Sequence, residues 1–133
     1  MSKYIFLLIS VSILVSCTTT RNISLAPAVN VTEAYQLTQK KVWLIDVREV
    51  AEVSELSYKV KRMKNIPLSE IENRLAEIPK NEPIILACRS GKRSGKAFEI
   101  LRANGFSNIA NMEGGMLAWE EKGLPVEHGQ TKE

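Results

Sequence analysis

Cysteine is scarce in this chain. There are two, Cys17 and Cys88, among 133 residues, and so few exclude the disulfide framework that staples many small secreted domains. Strong charge is lacking as well. The net charge is +3, and Lys3 supplies part of it. No basic stripe with interleaved aromatic residues is present, so nothing points to nucleic acid. Histidine occurs once, as His128, in a polar ending that reads as solvated. Repeats and low-complexity segments are missing. So is any apolar run long enough to cross a membrane: YIFLLISVSILV, residues 4–15, has twelve residues, whereas a hydrocarbon core of about 30 Å needs about 20.

What is there is an ordinary globular composition, 44% apolar and 25% charged. The length suggests one domain, large enough to bury a core without staples. The first residues are a separate object. A short positive start at Lys3 and the apolar run after it have the form of a secretory signal. Leu14-Val15-Ser16-Cys17 then resembles the lipobox of bacterial lipoproteins, in which the cysteine is lipidated and becomes the mature N-terminus. Residues 1–16 are therefore expected to be a signal peptide and Cys17 a lipidation site. The expected location is the cell envelope, anchored to a membrane and facing the periplasm or exterior. Thr18, where an aspartate would favour inner-membrane retention, resembles lipoproteins sent to an outer membrane. Residues 17–29 are polar or small, contain Pro27 and show no period, so they read as the lipidated start and a flexible tether.

From Asn30 onward helix and strand patterns alternate. VTEAYQLTQ suggests a short helix capped by Asn30 or Thr32. VWLIDV, residues 42–47, reads as a buried strand. Residues 54–62 are loop-like, and KNIPL holds a short strand ended by Pro67. SEIENRLAEI suggests a helix with Ser69 and Glu72 as a capping box. PIILA, residues 83–87, is a second buried strand. SGKAFEILRANG is a helix stopped at Gly105, NIANM a third strand, and GGMLAWEEKG a last helix closed by Gly123 and Pro125. This order predicts an α/β fold with a central parallel sheet and helices on both faces, over residues 30–127, followed by a polar tail at 128–133.

The most informative stretch is ILACRSGKRSGKAF, residues 85–98. Its apolar strand stops at Cys88, a loop Arg89-Ser90-Gly91-Lys92-Arg93 follows, and a helix begins near Ser94. Sites in open α/β sheets form beyond the carboxyl ends of strands. Inward N–H groups and a helix N-terminus there make an anion cradle. The same field, with the loop cations, is expected to lower the thiol pKa from about 8.5 into the range of roughly 3.5–7.5 and so produce a nucleophilic thiolate. A buried, inert cysteine is the plainer alternative.

Cys88-Arg89-Ser90-Gly91-Lys92-Arg93-Ser94 resembles the active-site loop of single-domain rhodaneses. LIDVRE (44–49), NIPLSEI (65–71) and MEGGMLAWEEKGLPVE (112–127) resemble other recurring segments of that family, in the same order. The resemblance implies a rhodanese-like fold and a thiosulfate-type sulfurtransferase. Cys88 would be the persulfide-forming nucleophile, and Arg89, Ser90, Gly91, Lys92, Arg93 and Ser94 would bind the donor. The implied partners are a small anionic sulfur donor and a thiol or cyanide acceptor, with no metal or organic cofactor. Asp46, Arg48 and Glu49 match the family and are read as holding loops in place. Where the family usually has a Gly-His-Ile turn, this chain has Tyr58-Lys59-Val60-Lys61-Arg62-Met63. That stretch is either a divergent surface loop or a basic patch at the pocket rim. Two rivals stand beside the sulfurtransferase: a non-catalytic module that senses an anion or sulfide or binds a partner, and a cysteine-dependent phosphatase or arsenate reductase. The phosphatases that resemble rhodaneses carry one residue more between cysteine and arginine than the four found here.

The lipobox-like segment generates a direct test. Cys17→Ser should leave the protein unacylated and release it from membranes, read by fractionation and by mass spectrometry of the N-terminus. A membrane-bound, uncleaved Cys17→Ser chain would make the apolar segment itself the anchor.

Overall fold

The computed structural model describes residues 22–129. The apolar run 4–15, Cys17 and the last four residues lie outside that range, so the signal and lipidation expectations are not addressed by the fold. Five strands form a parallel sheet: β1 (Ala28–Val29), β2 (Trp43–Asp46), β4 (Met63–Asn65), β5 (Ile84–Ala87) and β6 (Ile109–Met112), in the order β1-β6-β5-β2-β4. Helices α1 (Val31–Thr38), α2 (Val50–Glu55), α3 (Lys92–Ala103) and α4 (Gly115–Glu121), with a 3-10 helix at Leu68–Glu77, surround it. The expected α/β architecture is thus observed. Strands β3 (Leu56–Tyr58) and β7 (Val126–His128) pair antiparallel as a small second sheet.

Alternation along the central strands explains their unbroken apolar sequences. Ile84 and Leu86 point to a core made with α3 and the 3-10 helix, where Ile71, Phe98, Leu101 and Phe106 are buried. Ile85 and Ala87 point to the opposite core, built from Ala34, Tyr58, Met116 and Trp119. A strand covered on both faces has no polar side to show. Asn30 caps α1 as expected: its side chain accepts a bond from the Glu33 N–H at 2.9 Å.

Four readings of the sequence need correction. Residues 23–29 are not a free tether. The Asn108 side chain accepts from the Leu25 N–H at 2.8 Å and donates to the Ile23 carbonyl at 2.6 Å, and Ala28–Val29 then add the edge strand β1 beside β6. The Ser69–Glu72 capping box does not form. The Leu68 N–H is taken by the Val47 carbonyl, and Pro67 opens the segment. The helix therefore starts one residue early, with Ser69 inside its first turn, and breaks at Arg74 (φ −122°, ψ 19°). Residues 54–62 are not all loop, since α2 ends in them and β3 follows. His128 is exposed, as expected, but it is paired opposite Leu56 in β7 and is not part of a tail.

Replacing Asn108 by alanine removes both bonds that clasp residues 23–25. Thermal unfolding should show a loss of about 1–2 kcal/mol, and the Leu25 amide should exchange with solvent faster than in the parent protein.

Candidate active site

Cys88 follows β5 directly and lies at the carboxyl end of the sheet, fully buried. Its Sγ accepts from the Gly91 N–H at 3.1 Å and from the Ser94 hydroxyl at 3.3 Å. Gly91 closes the loop with φ +96°, and a Cβ there would stand 3.3 Å from the Gly114 nitrogen. Backbone freedom and close approach both require glycine at that position.

The loop owes its shape to where its carbonyls go. The Cys88 carbonyl accepts from the Tyr58 hydroxyl at 2.6 Å and from the Met116 N–H at 2.9 Å. The Arg89 carbonyl accepts from the Leu117 N–H at 3.1 Å. The Gly91 carbonyl accepts from the Gly95 N–H and the Asn111 side-chain amide. In a trans peptide the N–H points opposite to the carbonyl. With the Arg89 oxygen held outward, the Ser90 N–H of the same peptide turns toward the sulfur, and the Gly91 N–H joins it. Gly115 makes this possible, because a Cβ on it would meet the Cys88 and Arg89 carbonyl oxygens at 2.5 Å.

The environment holds the Cys88 thiol below its ordinary pKa. Burial alone pushes it up, and this is outweighed by the Ser94 hydroxyl and by the N–H groups of Ser94, Ser90 and Gly91. The donors are therefore neutral. The loop cations expected to activate the thiol rank behind these donors, although the charge of Arg93 does couple to that of Cys88. The Arg89 and Lys92 side chains are exposed and make no ion pair among the described residues. Arg93 is turned onto Glu52, with Nη1 and Nη2 at 2.6 and 2.8 Å from its two carboxylate oxygens. That pairing holds the Glu52 carboxyl down at about 2. Arg89 lines a groove of ≈ 190 Å³ with Arg48, Glu52, Met116 and Leu117.

Asp46 and Arg48 do hold loops, as read from the sequence. Arg48 is buried and bonds both Asp46 oxygens and the Leu56 carbonyl. Its guanidinium also lies 5.2 Å from the centre of the Tyr58 ring. Removing one partner of such a buried pair costs about 3–5 kcal/mol. Glu49 caps α2 in a reciprocal box with Glu52. Tyr58 and Glu52 are the two site residues that the sequence reading missed. Burial keeps the Tyr58 phenol well above its usual range, so it remains an O–H donor. A hydroxylated aromatic residue inside a charged stretch was its only signal. The rest of that stretch does not rim the pocket. The Arg62 carbonyl accepts from Leu44 at the amino end of β2, and its side chain stacks on Trp43 and pairs with Glu82.

Residues 30–122 match the family model described as Rhodanese-like domain. The chain belongs to the rhodanese-like family. A protein named Sulfurtransferase from Allochromatium vinosum is 35% identical over 85 residues, 64% of this chain and 78% of that one. The solved rhodanese-related protein of Thermoplasma volcanium superposes with a TM-score of 0.68 at 30% identity, covering 77% of this chain and 98% of that one. A rhodanese-like domain protein from Staphylococcus aureus gives 0.64 at 33% identity, with 77% and 99% covered. The rhodanese-like fold and family-level relation to sulfurtransferases fit a cysteine seated in a cradle of N–H groups.

Ser94 provides a test of the electrostatics. Because the folded-state pKa is lowered, the Cys88 thiolate persists below the pH at which an ordinary thiol protonates, and alkylation slows only as pH falls through that lowered value. Ser94→Ala removes the leading stabilising donor. Its iodoacetamide rate profile should shift to higher pH, with the plateau rate at alkaline pH little changed.

Proposed function

We propose that the domain is a sulfurtransferase that carries a sulfane sulfur as a persulfide on Cys88. The observation that carries this reading is the Cys88 sulfur held by the Gly91 N–H and Ser94 hydroxyl at the floor of a closed loop. The thiolate attacks the outer sulfur of thiosulfate or a related donor. A sulfur–sulfur bond forms to Cys88, the donor's own sulfur–sulfur bond breaks, and sulfite leaves with the electron pair. The terminal persulfide sulfur inherits the negative charge and sits where the same donors stabilise it. A thiol or cyanide then takes that sulfur and returns the thiolate. Every electron pair is accounted for within donor, cysteine and acceptor.

We further propose that the protein works at the cell envelope, anchored through a lipid on Cys17. The lipobox-like segment supports this reading. Residues 23–25 are clasped by Asn108, just before β6 begins, so the upstream chain joins the domain at the end of the sheet opposite Cys88.

Incubation with thiosulfate should add the mass of one sulfur atom to the domain, and cyanide should remove it with release of thiocyanate. Cys88→Ser should lose both events entirely, since a hydroxyl oxygen carries no persulfide. Ready hydrolysis of aryl phosphates without any persulfide would instead mark a phosphatase.

A further inference from the structure

The Cys88 loop carries a guanidinium that does not face the sulfur. Arg93 sits in the first turn of α3, next to Ser94, whose hydroxyl touches Sγ. Both of its terminal nitrogens are spent on Glu52, one on each carboxylate oxygen. The two-oxygen edge of a carboxylate and that of a sulfonate present the same geometry to this fork. Glu52 thus occupies Arg93 as an oxyanion would.

We infer that Glu52 is a specificity-determining residue of this site: it competes with the anionic donor for Arg93, and donor binding exchanges one oxyanion partner for another. The inference rests on the sulfur-transfer reading of Cys88 and deepens it.

Three features support exchange over permanent pairing. First, the pair is reachable, with side chains 32% and 33% exposed for Arg93 and Glu52. Ion pairs open to water are weak and easily replaced. Second, Glu52 cannot follow the guanidinium inward. Its Oε2 accepts from the Glu49 N–H at 3.0 Å, which pins it to the first turn of α2. Third, of the other two guanidinium groups close to the loop, the buried one is committed. Arg48 is buried against Asp46 and the Leu56 carbonyl. Arg89 adds charge at the groove but has no fixed direction among the described contacts. Arg93 is also close enough for the Cys88 charge to raise its own pKa. An anion arriving at Sγ therefore lies within its field. When sulfite departs, the Glu52 carboxylate is in place to reclaim the guanidinium and displace the product.

The test compares two alkylating agents of similar size, iodoacetate and iodoacetamide, which differ in charge. Glu52→Gln removes the competing charge and keeps an oxygen for the Glu49 N–H. It should raise the ratio of iodoacetate to iodoacetamide rates at Cys88 by about fivefold and lower KM for thiosulfate by a similar factor, the upper size expected for a partly exposed ion pair. The double substitution Glu52→Gln with Arg93→Gln should lose that gain. Glu52→Met, uncharged and of similar length, is the second variant, and its ratio should rise with that of Glu52→Gln. An unchanged or lowered ratio in both variants, or a gain that survives loss of Arg93, overturns the inference. The rate ratio does not depend on sulfur transfer. A wild type that forms a persulfide but shows no change of ratio on substitution sinks this inference alone. A wild type that takes sulfur from no donor sinks the transferase reading, and the ratio still decides the role of Glu52.

Discussion

The site depends on one constraint above all: the carbonyls that follow β5 must face away from the Cys88 sulfur. Two donors from distant segments, the Tyr58 hydroxyl and the Met116 N–H, take the first of these carbonyls. The start of α4 takes the next through Leu117. Once the Arg89 oxygen is fixed, peptide planarity leaves the Ser90 N–H only the inward direction. The order Gly114-Gly115 before α4 belongs to the same constraint, since any side chain at Gly115 would occupy the space of the Cys88 and Arg89 carbonyls. The Cys88 loop and the β6–α4 connection are therefore one object, built from segments more than twenty residues apart.

That arrangement explains why neutral dipoles lead in setting the state of the thiol, ahead of the charge on Arg93. A buried sulfur has little water around it, so fixed N–H and O–H donors at about 3 Å act at full strength. Lysine and arginine heads at the loop surface are hydrated and screened, with a Debye length of roughly 8 Å at physiological salt. The division is visible in the structure. Ser94 and the loop amides serve the sulfur, whereas Arg89 and Lys92 remain at the surface and Arg93 is held by Glu52.

Much of this was legible in the sequence, and the rest was hidden for physical reasons. Strands β2, β5 and β6 announce themselves because burial on both faces demands apolar runs. Helices α1 and α3 carry their own punctuation at Asn30 and Gly105. Cys88, Gly91 and Ser94 fall within seven consecutive residues, so local order alone brings them together. By contrast, β1, β3 and β7 have two or three residues each. No period can show in so short a strand, and tertiary pairing decides its state. Helix α2 buries none of its residues, so it leaves no apolar stripe to read. Glu52 lies 41 residues before Arg93 and Tyr58 lies 30 before Cys88. Contacts over such separations are made by the fold and leave no local pattern.

The divergent turn shows how the same machinery is reached by another route. In place of Gly-His-Ile, this chain descends from Tyr58 at the active-site end to Arg62 at the amino end of β2, and the two ends of the segment do different work. Tyr58 stacks edge-on against Trp119 at 5.0 Å and carries its hydroxyl to the Cys88 carbonyl. Arg62 closes the opposite end against Trp43 and Glu82. Strands of four residues separate those ends by roughly 13 Å. The basic character of the segment is thus spent away from the sulfur, and its one buried polar group is spent on it. Residues 23–25 join at that same amino end, beside Asn108.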